Sequence, residues 1–376
     1  MLARTSKGRH IAFVLPGLGA GGSEHIVSQL CNHCVASGWT VTLIAFEDPG
    51  AHPYYHHDPA VRILPLGLKP ERRGAWAAIR AVRARRAILR KAFAVVKPDL
   101  VVSFLTRANI LSVLAARGMG IPVIVSERNN PALQGVGPIW GALRRWAYPR
   151  AAGLVTMTAG AMRYFGDASP PRTWVIANPA TIPAGARERH SDGRTIGAVG
   201  RFVPQKGFDL LLDAFARVAR AVPDWRLVIW GDGPDRVALE AQRARLSLED
   251  RVDMPGITTR PGEWISRSDL FVLSSRFEGW GLVVGEAMAG GLPAVSFDCA
   301  WGPAEMIEHG DSGVLVPDGD VDSLADAIIA LCRDDARRAA LGDAARRRME
   351  AFSPPAIMAQ WLAVITEVAD QREAAR

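Results

Sequence analysis

The chain has 376 residues, 49% of them hydrophobic and 22% charged, enough for two domains of ordinary size and unlike a disordered or fibrous chain. No apolar run approaches the roughly 18 residues of a membrane span, and the run at 11–15 is too short for a signal-peptide core, so the protein is expected to stay in the cytoplasm. Charge is uneven: residues 1–190 carry 24 Lys and Arg against 9 Asp and Glu (net +15), and residues 191–376 carry 21 against 29 (net −8), so the first half is expected to meet something anionic.

In chain order, the apolar run at 11–15 reads as a strand bounded by Pro16-Gly17, and a helical pattern covers 23–36 up to Gly38. Strands are predicted at 41–46 and 61–64, then a long arginine-rich helix at 76–96. Strands at 100–104, 123–126 and 154–157 alternate with helices at 108–116 and 137–148. Alternation of this kind argues for a parallel sheet wrapped by helices. Cys31, Cys34, Cys299 and Cys332 fit a reducing compartment. The Cys31-Asn32-His33-Cys34 run lacks a second ligand pair and sits in a helix, so it reads as core and no metal is expected.

A Pro-, Gly- and charge-rich stretch at 178–193 is followed by a second series with the same rhythm. Strands are predicted at 195–199, 227–230, near Val252, at 270–273, 294–297 and 314–316. Helices are predicted at 208–221, 234–244, 282–289, 321–332, 335–351 and 355–369. The expected domains are 1–180 and 190–352, with 353–376 a helix packing back on the first. Two doubly wound domains are expected to face a cleft at their strand ends.

Five constellations carry chemistry. Glu278-Gly279-Trp280-Gly281-Leu282 leads from a strand into a helix whose first amides, with the helix dipole, suit an anion. The carboxylates of Glu278 and Glu286 flank that turn and suit sugar or ribose hydroxyls. Gly200-Arg201 with Lys206-Gly207 places two cations in a loop, a natural diphosphate clamp. Gly231-Asp232-Gly233 and Pro255-Gly256-Ile257 are turns at strand ends that suit the wall of a base pocket. Glu127 and Arg128 follow a strand and are expected on the cleft rim, bound either to hydroxyls or to each other. The fifth is a surface: Arg72, Arg73, Arg80, Arg83, Arg85, Arg86, Arg90 and Lys91 on one helix, and Trp140, Arg144, Arg145, Trp146, Tyr148 and Arg150 on another. It suits an anionic bilayer; no nucleic-acid module is visible.

Gly17, Gly19 and Gly22, with Glu47 at the next strand end, also satisfy the dinucleotide spacing. This supports an alternative, an NAD(P)-dependent oxidoreductase. A third reading is a non-enzymatic, membrane-bound sensor of sugar nucleotides.

On these residues the chain resembles the retaining glycosyltransferases of family 4, with a GT-B arrangement of two Rossmann-like domains. The most specific match is the paired Glu278 and Glu286 frame. Gly21-Gly22-Ser23-Glu24, the 200–207 loop and the 298–307 run resemble further family elements. The resemblance implies a hexosyl or N-acetylhexosaminyl transfer from a nucleotide sugar, expected to be UDP-linked and used without a metal. The acceptor is expected to be a glycan or lipid-linked sugar of cell-surface polysaccharide or lipopolysaccharide synthesis, met peripherally at the cytoplasmic face of the inner membrane. It implies catalytic roles for Arg201, Lys206, Glu278 and Glu127. Arg201 and Lys206 would hold the diphosphate and the Leu282 and Val283 amides the distal phosphate, with Glu286 on the ribose and Glu278 on the donor sugar. Gly21, Gly22, Gly200, Gly231, Pro255, Gly256, Ile257, Gly279 and Gly281 would line the binding surfaces. Glu127 stands where many relatives have His, Ser23 where Ala is usual, and Trp301 where a smaller residue is common.

Overall fold

The computed structural model describes residues 8–68, 75–133, 135–183, 186, 190–258, 260 and 262–374. Arg72 and Arg73 lie outside them, as do the side chains of Trp76 and Ile79. The chain divides into two compact units, Met1–Ala177 with Ile357–Arg376, and Asn178–Ala356.

The first unit runs β1 (His10–Leu15), α1 (Gly22–Ala36), β2 (Thr40–Ala45), β3 (Arg62–Pro65), α2 (Ala75–Val96), β4 (Leu100–Phe104), α3 (Thr106–Ala116), β5 (Val123–Ser126), α4 (Pro138–Ala147), β6 (Gly153–Thr156), α5 (Ala159–Phe165) and β7 (Thr173–Val175). Its sheet is parallel throughout, in the order β3-β2-β1-β4-β5-β6-β7. The strands β4 and β5 are buried along their whole length and apolar but for Ser103 and Ser126, as both covered faces of such a sheet require. Two elements of this unit escape a periodicity reading. β7 is a three-residue edge strand, and α5 is a short helix started by the Thr158 hydroxyl accepting from the Ala161 amide at 3.1 Å.

The second unit runs β8 (Thr195–Val199), α6 (Phe208–Ala221), β9 (Arg226–Trp230), α7 (Arg236–Arg245), β10 (Val252–Gly256), α8 (Glu263–Ser266), β11 (Leu270–Leu273), α9 (Leu282–Ala289), β12 (Ala294–Phe297), α10 (Pro303–Met306), β13 (Val314–Val316), α11 (Val321–Cys332) and α12 (Asp335–Met349). Its parallel sheet has the order β10-β9-β8-β11-β12-β13. Leu211, Leu212 and Phe215 of α6 and Leu324 and Ile328 of α11 join Ile196, Ile229 and Val272 of the sheet in one core. Both units are therefore doubly wound α/β sheets, as expected.

The closing helix α13 (Pro354–Ala374) belongs to the first unit from Ile357 onward. Trp361 is fully buried there, its ring 5.6 Å from that of Phe104. Arg372 pairs with Asp99 at 3.0 Å, and Arg9 reaches Asp370 and Glu373 at 2.5 and 2.7 Å.

The basic surface needs correction. Arg86 and Arg90 donate to the carbonyls of Leu114 (3.0 Å), Ala115 (2.8 Å) and Arg117 (2.6 Å). They cap the C-terminal end of α3, where the last carbonyls lack intrahelical partners. Trp140 and Tyr148 are not interfacial: they are 4% and 0% exposed and belong to the core, because α4 packs on α3. The outward side of α2 keeps Arg80, Arg83 and Lys91 beside Ile88 and Val95.

Candidate active site

Strand order locates the site within the second unit. The chain winds outward from β8 through β9 to β10, then returns to the other side of β8 as β11. Loops leaving β8 and β11 thus diverge at a topological switch point, where such sheets bind ligands. These loops are 200–207 and 274–281.

Close backbone approach builds this corner. The Gly200 amide donates to the Trp230 carbonyl at 3.0 Å. A Cβ on Gly231 (φ +145°) would meet the Gly200 carbonyl, and one on Gly207 (φ +61°) would meet the Ser274 carbonyl. Only glycine fits either position. Phe202 is buried against Phe208, ring centroids 5.4 Å apart, which anchors the loop and leaves Arg201 exposed. The Arg201 side chain has no hydrogen bond or ion pair among the described residues. Lys206 ends a single 3-10 turn, Pro204–Lys206, and its ammonium lies 2.7 Å from Glu278 Oε1.

Glu278 is 5% exposed. Its Oε1 also accepts from the Ser275 hydroxyl at 2.7 Å, while Oε2 has no partner among the described residues. One oxygen is anchored and the other is left to accept a ligand hydroxyl. Arg276 forks onto Asp209 at 2.8 and 2.6 Å and donates to the Pro204 carbonyl at 2.8 Å, fastening the two loops together. It holds the Asp209 carboxyl below its usual range.

Helix α9 begins at Gly281, whose left-handed φ of +82° aims the first turn. The Gly281 carbonyl accepts from Val284 at 2.9 Å, but no residue among those described accepts from the Leu282 or Val283 amide, and no side chain caps the helix. Two free donors at the positive end of a helix form an anion seat. Glu286, one turn in, is half-buried with no hydrogen-bond partner among the described residues, and burial pushes its carboxyl up to about 7.

The other turns are partly joined to this corner. Gly231 donates to the Gly256 carbonyl at 2.9 Å, linking the ends of β9 and β10. Pro255, Gly256 and Ile257 line a cavity of about 830 Å³ with Trp230 and Arg243, and neither Lys206 nor Glu278 lines it. Ile257 is 76% exposed.

Gly21, Gly22 and Glu127 lie in the first unit. Gly21 precedes α1, and the Glu24 carboxylate folds back over it: a Cβ on Gly21 would collide with Glu24 Oε2. A Cβ on Gly17 would lie 3.2 Å from Glu24 and 3.4 Å from Glu47. The Glu24 carboxylate folded over the loop disfavours a pyrophosphate there, which weighs against the dinucleotide reading. Glu127 is not on a rim. It is 1% exposed, with the Tyr148 hydroxyl donating to Oε1 and the Thr106 hydroxyl to Oε2 at 3.0 Å. Burial raises its carboxyl above the ordinary value and lowers the Arg128 guanidinium to about 9. Arg128 donates to the Ile176 carbonyl at 3.3 Å.

Sequence reading missed Ser275 and the Asp209–Arg276 fork. Ser275 sits three residues before Glu278 on one loop, a spacing that offered a signal; the fork joins positions 67 residues apart and offered none.

Comparison with known proteins agrees with this architecture. The family model "Glycosyl transferase 4-like domain" matches residues 21–181, and "Glycosyl transferases group 1" matches residues 185–348. An exopolysaccharide phosphotransferase of Streptomyces coelicolor is 37% identical over 230 residues, 60% of this chain and 24% of that protein. This chain thus spans about a quarter of that relative. A GalNAc-alpha-(1->4)-GalNAc-alpha-(1->3)-diNAcBac-PP-undecaprenol alpha-1,4-N-acetyl-D-galactosaminyltransferase of Campylobacter jejuni is 26% identical over 363 residues, 95% of this chain and 98% of that one. In fold, the chain is similar to sucrose-phosphate synthase of Thermosynechococcus elongatus (TM-score 0.81, 22% identity, 98% and 100% of the chains). It is similar also to Anabaena HepE in complex with UDP and glucose (TM-score 0.73, 19% identity, 96% and 100%). The chain belongs to the glycosyltransferases with these two domains, and its fold is GT-B.

Proposed function

We propose that the protein moves a hexosyl or N-acetylhexosaminyl group from a UDP-sugar to a glycan or lipid-linked acceptor of cell-surface polysaccharide synthesis, with retention of configuration. The observation that carries this reading is the pairing, at one switch point, of an uncapped helix start with a Lys206–Glu278 contact that leaves one carboxylate oxygen unused. The UDP and glucose bound by Anabaena HepE and the undecaprenol-linked substrate named for the Campylobacter enzyme support the choice of donor and acceptor classes.

The diphosphate would sit on the Leu282 and Val283 amides, with Arg201 and Lys206 against its oxygens. The bond between the sugar anomeric carbon and the phosphate oxygen breaks, and its electron pair leaves with UDP. The acceptor oxygen bonds to the anomeric carbon from the same face and gives its proton to a phosphate oxygen. Charge growing on the leaving group meets preorganised donors, each worth about 3–4 kcal/mol. Glu278 orients the sugar through its unused oxygen, and Glu286 takes the ribose hydroxyls. Glu127, held by Thr106 and Tyr148, keeps its place through the fold of the first unit and receives no catalytic step here. Protein cations and amides carry the diphosphate charge, so this reading assigns no role to a divalent metal; an unchanged rate in EDTA checks that point. The outward side of α2, with Arg80, Arg83, Lys91, Ile88 and Val95, suits an anionic bilayer.

The test is a thermal-shift and turnover screen of UDP- and GDP-sugars with lipid-linked acceptors. Stabilisation by UDP and UDP release on adding acceptor support the reading. Stabilisation by NAD with none by UDP sinks it.

A further inference from the structure

At the start of β5 and just before β6 and β7, the first unit has a cavity of about 600 Å³. This is the end of the sheet opposite the glycine loop that leaves β1. Arg117, Arg150, Arg172 and Arg372 line it, over an apolar floor that includes Val123 and Val368, and among the described residues no acidic one does. Arg117 and Arg150 lie over the ring of Trp146 at 5.3 and 4.4 Å. Held over the ring by cation–π attraction, both guanidinium groups lose less entropy when they bind.

Among the described residues only one of these four charges is met by a carboxylate. Arg372 pairs with Asp99, and Arg150 donates to the Trp146 carbonyl at 2.6 Å. Among the described residues Arg117, Arg150 and Arg172 make no ion pair. The nearby end of α3 does not supply negative charge either, because Arg86 and Arg90 already occupy its terminal carbonyls. Three cations gathered in one concavity, with no counter-charge, repel one another until an anion enters.

We propose that this cavity binds a phosphate-bearing group, a phosphate mono- or diester or a diphosphate, held by Arg117, Arg150 and Arg172. It is a site separate from the donor corner, which lies in the other unit and uses none of these residues. Its ligand comes either as a soluble phosphate or as a phospholipid headgroup, and both present the same oxygens to the arginine forks.

Two measurements on the full chain test it: titration calorimetry with inorganic pyrophosphate, and co-sedimentation with phosphatidylcholine vesicles containing phosphatidylglycerol. The variants are Arg117→Glu with Arg172→Glu, the milder Arg117→Gln with Arg172→Gln, and Arg201→Ala, which leaves the cavity intact. A loss of pyrophosphate affinity of about tenfold or more in both cavity variants, kept in Arg201→Ala, assigns a soluble phosphate. A several-fold drop in vesicle-bound protein in both cavity variants, with pyrophosphate affinity unchanged, assigns the headgroup. Pyrophosphate heat lost only in Arg201→Ala, with sedimentation unchanged in the cavity variants, belongs to the donor corner and overturns the proposal. Unchanged titration and unchanged sedimentation in cavity variants that keep the wild-type circular dichroism overturn the proposal.

Discussion

Arg201 and Lys206 share one loop, yet their surroundings predict different responses to removal. Arg201 is exposed and unbonded, so Arg201→Ala is expected to lower kcat about 10²–10³-fold with an unchanged melting temperature. Lys206 also neutralises Glu278, which is 5% exposed. Lys206→Ala is expected to lose comparable activity and, in addition, about 3 kcal/mol of stability, read from urea unfolding, because a buried carboxylate is left with Ser275 alone. Glu286 gives a pH signature. In the proposed donor site its ionised form is the acceptor for the ribose hydroxyls, and with a carboxyl at about 7 the ionised fraction falls about tenfold from pH 8 to pH 6. UDP affinity is expected to fall by a similar factor, and Glu286→Gln to flatten that part of the profile. Without ligand the sign reverses. The folded value lies above the unfolded one, so the stability linked to this group is full below about pH 4 and lost as pH rises through about 7.

At the scale of elements, the donor corner depends on loops that touch through backbone. Gly207→Ala puts a Cβ against the Ser274 carbonyl at a left-handed φ of +61°. It is expected to cost about 1–3 kcal/mol and to weaken UDP binding, since the 3-10 turn carrying Lys206 must move. Calorimetry with UDP and a melting curve check both effects. A normal Kd with a lowered melting temperature would detach the turn from binding. The start of α9 follows the same logic: Gly281 supplies the left-handed residue, and the missing side-chain cap leaves two amides for a ligand. Most strands and long helices were legible in the sequence, because apolar runs of four to six residues between glycine turns have few other readings. β7, α5, α8 and α10 were not, being too short for a period to show.

Across the whole molecule, the closing helix crosses from the second unit back to the first. Trp361, fully buried beside Phe104, is its main apolar anchor. Trp361→Ala is expected to destabilise the protein by about 3–5 kcal/mol, measured by chemical unfolding, while the Lys206–Glu278 pair stays intact in the other unit. The charge asymmetry of the two halves survives in the structure, but its carriers divide. Arg86 and Arg90 cap α3, Arg117 and Arg150 lie over Trp146, and Arg80, Arg83 and Lys91 face outward.

The sequence alone determined the doubly wound class and the two-part organisation, and it named the residues proposed here for the donor corner, because each of these is written in local spacing: apolar runs, glycine turns, and acids or cations at fixed offsets from a helix start. Only the tertiary structure decided what those residues face. Spacing could not show that Lys206 and Glu278 are in contact, that Glu278 keeps one free oxygen, that Glu127 is sealed under Tyr148, or that Glu24 covers the glycine loop. Burial and pairing come from strand order, which brings together residues distant in sequence, and no local pattern encodes that order.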